Sequence, residues 1–257
     1  MFLIVRALLF VLGFFLCNFL CHKATDGFSV MRIQSEMGAV VSIDVEEEKK
    51  IDALLEQKFF YYGKGSEAYV FESEDKKFVL KFFKQKANPF AERRGSEKSY
   101  RLAAAELVEE TGLVATHLDR TDSLHNSLCL VDKLNIAHLL DPNAFQFVVQ
   151  KKAEPVLHTL EKLICKGDVE GTKEKMTQIL HLFSTYRSKG ICEKDGNISR
   201  NFGFYEGEAI QIDLGGFQKA SAPSRLKAGE FLRWLEPHPE LTAHFKQECE
   251  KNDVTCY

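Results

Sequence analysis

The sequence lacks the residue pairs that a structural metal site needs. Its seven cysteines are scattered, with no Cys-x-x-Cys pair and no histidines at ligand spacing, so we predict neither a zinc site nor a disulfide framework. Serine, histidine and aspartate are nowhere grouped at the spacing of a hydrolase motif. Without paired cysteines, a reducing compartment is the default expectation.

An excess of charge of either sign is also missing. The chain has 34 basic and 37 acidic residues, and no lysine-rich stripe is interleaved with aromatic residues. A nucleic-acid partner therefore has no support from composition. Internal repeats and low-complexity segments are absent too. At 257 residues with 45% hydrophobic content, the chain can form one large domain or a two-lobed one.

One long apolar run opens the chain. Residues 1–21 are apolar apart from Arg6 and Asn18, and the length lies between a signal-peptide core and a spanning helix of about 20 residues. We predict that this segment forms a hydrophobic helix that anchors the protein in a membrane. The alternative is a cleaved secretion signal. Residues 23–50 are weakly patterned and are predicted to be a linker.

The most informative stretch is a glycine-containing hairpin followed by an apolar strand. Gly63 and Gly65 allow a tight turn and the close approach of a polyphosphate, and Val70 would cover a base. The next strand carries Lys81 among apolar residues, where a buried ammonium needs an anionic partner such as a phosphate. The alternative is an ordinary turn followed by a core strand with one solvated lysine.

The pattern of the remaining chain predicts the order of its elements. Strands are expected at about 59–63, 67–73 and 77–84, as an antiparallel meander, followed by a helix from Glu92 to Thr111 that Gly112 ends. After two more strands the chain becomes helical beyond Pro155. A polar loop then leads into a short hairpin that ends in Asp213-Leu-Gly-Gly216.

This order resembles the protein-kinase-like superfamily over roughly residues 55 to 220. Gly63-Lys-Gly-Ser-Glu-Ala-Tyr-Val70 is similar to the family's G-x-G-x-x-G-x-V loop, with Ala68 in place of the third glycine. Val79-Leu-Lys81 is similar to the end of V-A-I-K. Asp195 and Asn201 resemble the catalytic-loop aspartate and asparagine, and Asp213-Leu-Gly215 resembles D-F-G.

The resemblance implies an α+β fold with two lobes. An antiparallel β N-lobe with one helix would cover residues 51–152, and a small, mainly helical C-lobe would cover residues 153–257. Few residues remain after Asp213, so the second lobe is reduced. This is closer to small, atypical bacterial kinase-like proteins than to signalling kinases.

The resemblance also implies ATP and Mg2+ as ligands. Lys81 would hold the α- and β-phosphates, Asn201 and Asp213 would bind the metal ion, and Asp195 would orient the acceptor hydroxyl and receive its proton. The backbone from Gln150 to Ala153 would face the adenine edge. The residues expected to contact the nucleotide are Gly63, Gly65, Ser66, Val70, Lys81, Gln150, Lys151 and Ala153.

In the family, a helix acid pairs with the strand lysine. We predict that Glu106 has this catalytic role, because it lies one turn after Leu102 and Ala103, next to the apolar stripe of the helix. Glu97 and Glu110 are alternatives. A further alternative is that these glutamates are ordinary surface charges.

Departures from the pattern leave the function open in two ways. Glu193-Lys194 replaces the family's His-Arg, and the spacing from Asp195 to Asn201 is one residue longer than usual. Asp195-Gly-Asn197 and Asp213 are also compatible with plain turns. We predict an ATP- and Mg2+-dependent phosphotransferase whose acceptor, a protein or a small molecule, is unknown.

The alternative function is a membrane-tethered pseudokinase that binds nucleotide or protein without catalysis. A secreted interaction domain with accidental motifs is a third possibility. Because an active kinase needs ATP, the anchored form implies that the chain after residue 22 is cytoplasmic. Cleavage of residues 1–22 would instead make the protein secreted.

Overall fold

The computed structural model describes residues 2–33, 35, 39–85, 94–194, 196–220 and 225–256. Helices and strands are mixed along the chain, which confirms the predicted α+β class. The helices are α1 (Phe2–Thr25), α2 (Val45–Leu55), α3 (Arg94–Glu106), α4 (Val108–Thr111), α5 (Val156–Cys165), α6 (Val169–Ser188), α7 (Ile198–Asn201), α8 (Gly229–Leu235) and α9 (Pro239–Lys251). Short 3-10 turns cover Val30–Arg32 and Pro142–Ala144.

The strands are mostly short. They are β1 (Lys58–Lys64), β2 (Ala68–Ser73), β3 (Phe78–Phe83), β4 (Leu113–His117), β5 (Leu128–Val131), β6 (Ala137–Leu140), β7 (Phe147–Lys151), β8 (Glu154–Pro155), β9 (Ile191–Glu193), β10 (Gly196–Asn197), β11 (Phe202–Tyr205), β12 (Glu208–Gln211), β13 (Phe217–Lys219), β14 (Arg225–Lys227) and β15 (Thr255–Cys256).

The chain divides into two compact units. Unit 1 comprises Met1–Pro89 and His117–Val149, and unit 2 comprises Phe90–Thr116 and Gln150–Tyr257. Helix α3, which was expected to belong to the β-rich lobe, clusters with unit 2. The lobe boundaries 51–152 and 153–257 remain predictions.

Unit 1 is built on a sheet in which its strands follow the order β7, β3, β2, β1, β5 and β6. Strands β1, β2 and β3 pair antiparallel, which confirms the predicted meander. Strand β5 adds to the other edge of β1 in parallel and pairs antiparallel with β6. Phe59, Phe71 and Phe82 lie on one face of the three-stranded meander and are fully buried. Aromatic residues at alternate positions therefore form the core of unit 1.

The segment predicted to be a linker contributes to this core. Phe28 and Ile33 are buried, and an isolated bridge joins Ile33 to Lys84. Helix α2 begins where the Asp44 side chain accepts a hydrogen bond from the Glu46 amide, which is a typical N-cap. Ile51 and Leu55 of α2 are buried.

Unit 2 combines helices with short sheets. Met176, Ile179, Leu180, Phe183 and Tyr186 of α6 are buried, as their helical spacing predicted. The helix predicted from Glu92 to Thr111 is interrupted at Leu107, and residues 92 and 93 lie outside the described part of the chain. Gly112 ends α4 in the left-handed conformation, as expected of a C-terminal glycine.

Helix α1 covers most of the apolar N-terminal run. Its side chains from Leu9 to Leu20 include many exposed large apolar groups. Across the described residues, no helix combines the length and apolar character needed to span a bilayer. The prediction of a transmembrane helix is therefore not supported, and the localisation of the protein remains a prediction.

A disulfide corrects one expectation from the sequence. Cys249 at the end of α9 is bonded to Cys256 in β15, with the Cα atoms 6.7 Å apart. The chain reverses between them, and the Val254 amide donates to the Cys249 carbonyl at 2.9 Å. The two sulfurs are brought together by this reversal. Cysteine spacing could not indicate the pair, because the two residues do not form a Cys-x-x-Cys motif. The reducing-compartment default loses its basis.

Candidate functional site

The glycine hairpin of unit 1 has the predicted strands and an irregular turn. The register of β1 against β2 shifts between Tyr61 and Gly63, as in a β-bulge. The Gly65 amide donates to the Ala68 carbonyl at 2.9 Å and closes the turn. Ser66 is exposed at the tip. A backbone hydrogen bond therefore closes the turn.

Neither glycine of this turn is explained by a positive φ or by a close neighbour among the described residues. Gly63 and Gly65 do not have a positive φ, and a Cβ added at either position would meet no atom of the described residues within 4 Å. The glycines therefore have open space beside them, and neither backbone strain nor close packing accounts for their presence. An external group that approaches the backbone closely would account for it.

Lys81 lies in the third strand, as predicted. Val70 pairs with Gly63 on one side and with Lys81 on the other. Directly opposed residues of antiparallel strands project from the same face of a sheet. The structure therefore brings Gly63, Val70 and Lys81 together on one face of the meander, and Val70 and Lys81 are half-buried.

In unit 2, the β11–β12 hairpin brings the two predicted metal ligands side by side. The Asn201 carbonyl accepts from the Ile212 amide at 2.7 Å and from the Asp213 amide at 3.4 Å. Asn201 ends α7, and Asp213 follows β12 at the open end of the hairpin. The pairing of Phe202 with Gln211 is the last rung before both residues.

The turn after Asp213 is held by several buried groups. The Asp213 side chain is exposed, and its Oδ1 accepts from the Gly215 amide at 3.1 Å. The Gln211 side-chain amide donates to the Asp213 carbonyl at 2.8 Å and to Glu193 Oε2 at 2.6 Å. Gln211 and Glu193 are both buried.

Two further contacts fix the same turn. Buried Ser99 of α3 donates to the Leu214 carbonyl and accepts from the Phe217 amide at 2.7 Å. The Glu193 carboxylate lies over Gly216, where an added Cβ would be 1.7 Å from Oε1. The Asp213 turn is therefore held by two elements that precede it in the sequence, helix α3 through Ser99 and strand β9 through Glu193.

Sequence reasoning missed Ser99, Gln211 and this role of Glu193. Ser99 precedes Tyr100 in the helical pattern and is one turn before Ala103, so a polar residue beside the apolar stripe was a signal that could have been read. No local signal indicates that its partners are Leu214 and Phe217.

Burial raises the pKa of Tyr186 well above its ordinary value, and the carboxylates of Glu193 and Glu110 raise it further.

Glu106 lies in an ion pair in unit 2. Its Oε2 is 2.5 Å from the Lys219 ammonium, and its carbonyl accepts from Lys189 at 2.8 Å. The alternatives are also paired, Glu97 with Arg101 at 2.9 Å and Glu110 with Lys189 at 2.5 Å. The role of Glu106 as the partner of Lys81 remains a prediction.

The residues of the predicted hinge are bonded to or packed against other segments of unit 2. The buried Gln150 side chain donates to the carbonyls of Thr111 at 2.6 Å and Gln211 at 3.0 Å, and the Lys151 amide donates to the Gly112 carbonyl at 2.8 Å. Ala153 lies against Gly203, where an added Cβ would be 2.8 Å from the Ala153 Cβ. Adenine contacts of Gln150, Lys151 and Ala153 remain predictions.

Asp195 lies outside the described residues. Its neighbours are fixed, because the Lys194 amide donates to the Gly216 carbonyl at 3.1 Å and Gly196 pairs with Leu226 of β14. Within the described part of the chain, no group of three or more histidine, cysteine, aspartate or glutamate side chains could hold a metal ion. A metal bound by Asp213 and Asn201 would need other ligands.

Comparisons with known proteins do not assign a family. No family model and no curated protein matches this chain. Among solved structures, the ROP18 kinase domain in complex with AMP-PNP and sucrose matches with 17% identity and a TM-score of 0.43. The match covers 65% of this chain and 53% of that one, so it spans about half of that protein's length. This likeness is too distant to place the chain in a family.

Proposed function

We propose that this chain is a protein-kinase-like phosphotransferase with a two-lobed fold that uses ATP and Mg2+. The observation that carries the proposal is the adjacency of Asn201 and Asp213 at the open end of the β11–β12 hairpin, where the Asn201 carbonyl accepts from the Asp213 amide at 3.4 Å. An asparagine and an aspartate in this order are the residues with which protein kinases hold their metal ions. The acceptor of the phosphoryl group remains unknown.

The donor set fits Mg2+ bound together with phosphates. Mg2+ in such sites takes one or two protein oxygens and completes its shell with phosphate and water. The exposed Asp213 carboxylate uses Oδ1 in its own turn, and among the described residues no donor engages Oδ2. Asp213 and Asn201 would hold the ion, which would neutralise charge on the phosphates.

The glycine hairpin supports the nucleotide part of the proposal. The open space beside Gly63 and Gly65 suits a polyphosphate that approaches the backbone, and Lys81 shares the sheet face of Gly63 and Val70. Lys81 would bind phosphate, Val70 would pack on the base, and Asp195 would orient the acceptor hydroxyl. Phosphoryl transfer needs mainly this kind of positioning and charge neutralisation.

The pseudokinase alternative is favoured by one observation. Glu193, at the position of the family's histidine, is buried and accepts a hydrogen bond from Gln211 at 2.6 Å. This side chain is committed to holding the Asp213 turn, and Lys194 stands in place of the arginine. In this alternative the chain binds nucleotide without transferring phosphate. Tethering to a membrane stays part of the alternative as a prediction.

The test is a thermal-shift titration of the full chain with ATP and Mg2+, separately and together, combined with an assay of ATP consumption. We expect ATP with Mg2+ to raise the Tm more than either alone. Asp213→Asn keeps the turn acceptor but removes the charge, so the Mg2+-dependent part should become about tenfold weaker. Lys81→Ala should weaken binding with and without Mg2+.

Asp75→Asn is the matched control. Asp75 Oδ1 accepts from the Lys77 amide at 3.0 Å in a turn of the same kind, so this variant should bind ATP and Mg2+ normally. Turnover that disappears in Lys81→Ala and Asp213→Asn supports the phosphotransferase. Saturable binding without turnover in the unmodified chain supports the pseudokinase. If no nucleotide raises the Tm, both proposals are wrong.

A further inference from the structure

A short segment that connects α1 to the rest of unit 1 packs across the back of the glycine hairpin. We call residues Asp26–Ile33 the strap. Its third residue, Phe28, is buried among the rings of Tyr61 at 5.9 Å, Tyr69 at 5.2 Å and Phe71 at 5.2 Å. Because these rings belong to β1 and β2, the apolar contacts of Phe28 span both strands of the hairpin.

Hydrogen bonds attach the start of the strap next to the glycine turn. Lys64 Nζ, immediately before Gly65, donates to the Asp26 carbonyl at 2.6 Å. The Tyr69 hydroxyl, on the other strand, donates to the Gly27 carbonyl at 2.8 Å. Lys64 and Tyr69 are register partners, so the strap is bonded to both strands at the last pair of residues before the turn.

The shape of this attachment depends on a glycine. Gly27 has a φ of 73°, which favours glycine, and an added Cβ would be 2.6 Å from His22 Nε2. Asp26 also has a positive φ of 53°, and its carboxylate is paired with Lys133 at 3.0 Å. The chain therefore leaves α1 in a sharp bend that turns the carbonyls of residues 26 and 27 toward the hairpin.

The end of the strap reaches the same turn through Lys84. Ile33 forms a bridge with Lys84, and the Gln85 amide donates to the Arg32 carbonyl at 2.7 Å. The Lys84 amide donates to the Glu67 carbonyl at 2.8 Å, and its ammonium donates to the Gly65 carbonyl. The end of the strap is thus linked through Lys84 to the carbonyls of Gly65 and Glu67, whereas its start is bonded to the side chains of Lys64 and Tyr69.

The strap lies on the sheet face opposite to the proposed nucleotide face. Successive residues of a strand project from opposite faces. The side chains of Lys64 and Tyr69 project from one face, whereas those of Val70 and Lys81, which are in register with Gly63, project from the other. The strap can therefore order the hairpin without occupying the space beside the glycines.

We propose that Phe28 and Tyr69, through the strap, are positioning residues. They hold the glycine turn in the conformation that is closed by the hydrogen bond from the Gly65 amide to the Ala68 carbonyl. A hairpin tip by itself is only marginally ordered in water. Ordering it before a ligand arrives lowers the entropy lost on binding. The strap therefore raises the affinity for the nucleotide, a consequence that rests on the proposed function.

The experiment measures hydrogen exchange and nucleotide affinity of the full chain in two variants. Tyr69→Phe removes only the hydroxyl that binds Gly27, and Phe28→Ala removes the ring. We expect amides of residues 64–69 to exchange about threefold to tenfold faster in Tyr69→Phe, and more so in Phe28→Ala. The Kd for ATP with Mg2+ should rise about threefold in Tyr69→Phe. Amides of α6 should be unchanged.

Tyr205→Phe is the matched control, since it also removes a tyrosine hydroxyl but lies in unit 2. If Tyr69→Phe speeds exchange of the Gly27 and Phe28 amides while residues 64–69 keep their protection, the strap opens independently and the inference is overturned. If the unmodified chain binds no nucleotide but residues 64–69 still respond to Tyr69→Phe, the proposed function fails and the positioning of the turn stands. Uniform acceleration across both units would indicate global destabilisation and would overturn the inference.

Discussion

Two glycine-containing turns, one in each unit, differ in what holds them. The turn after Gly63 in unit 1 has open space beside its glycines and is attached from behind by the strap. The turn after Asp213 in unit 2 is surrounded by Ser99, Gln211 and Glu193, which bond to its backbone or fill the space beside it. No described group fills the space beside the glycines of the first turn, whereas the Glu193 carboxylate fills the space over Gly216.

The largest effect should come from filling the space over Gly216. In Gly216→Ala the new Cβ would collide with the Glu193 carboxylate, which is buried and bonded to Gln211. Moving that carboxylate breaks its hydrogen bond without exposing the charge to water. We expect a loss of about 3 kcal/mol in the free energy of unfolding, measured by urea denaturation.

A double-mutant cycle isolates the cause of that loss. In a Glu193→Ala background the collision disappears, so Gly216→Ala should cost less than about 1 kcal/mol there. An equal cost in both backgrounds would mean that the carboxylate over Gly216 is not the reason for the glycine.

The next effect should come from Ser99. Ser99→Ala leaves the buried Leu214 carbonyl and the Phe217 amide without their side-chain partner, which should reduce the free energy of unfolding by about 2 kcal/mol. Ser184→Ala is the control, because the Ser184 hydroxyl also bonds a carbonyl, that of His181, but is exposed. Its expected cost is below about 0.5 kcal/mol. Equal costs for both serines would contradict a special role for Ser99.

The sequence could predict what depends on nearby residues. The meander, the strand that carries Lys81 and the buried face of α6 follow from alternation or helical spacing within a few residues, and the structure confirms them. The adjacency of Asn201 and Asp213 follows from a hairpin between them. Ser99 and Leu214 are 115 residues apart, and the disulfide depends on a chain reversal after α9. Such contacts arise from tertiary packing, which local patterns do not encode.

A smaller effect is expected from pH, which should change the stability of unit 1 through His117. His117 stacks on Phe147 at 4.9 Å, and its Nδ1 lies 2.7 Å from the Phe145 carbonyl. Burial lowers the pKa of His117 below its ordinary 6.5, although the Phe145 carbonyl and the charges of Asp119 and Asp141 oppose this. The unfolded chain then takes up the proton more readily, so the stability contributed by neutral His117 is complete above pH 6.5 and decreases as the pH falls toward the folded-state pKa.

Urea denaturation from about pH 8 to about pH 5 measures this dependence. His117→Asn keeps a donor near the Phe145 carbonyl but does not titrate, so its stability should fall less on acidification than that of the unmodified chain. His181→Asn, at an exposed position of α6, should behave like the unmodified chain. Parallel pH curves for all three proteins would show that His117 does not sense pH.

The smallest effect on stability, with the clearest bearing on function, is expected for the open glycines. Because Gly63 and Gly65 lack a positive φ and have no described atom beside a would-be Cβ, Gly63→Ala and Gly65→Ala should be neutral or should stabilise the fold by up to about 1 kcal/mol, since alanine restricts the unfolded chain. A methyl group beside the backbone should nevertheless hinder a polyphosphate and weaken ATP binding. Chemical denaturation and an ATP titration on the same samples separate the two outcomes. If both variants bind ATP as tightly as the unmodified chain, these glycines serve only the turn, and the contrast with Gly216 loses its functional meaning.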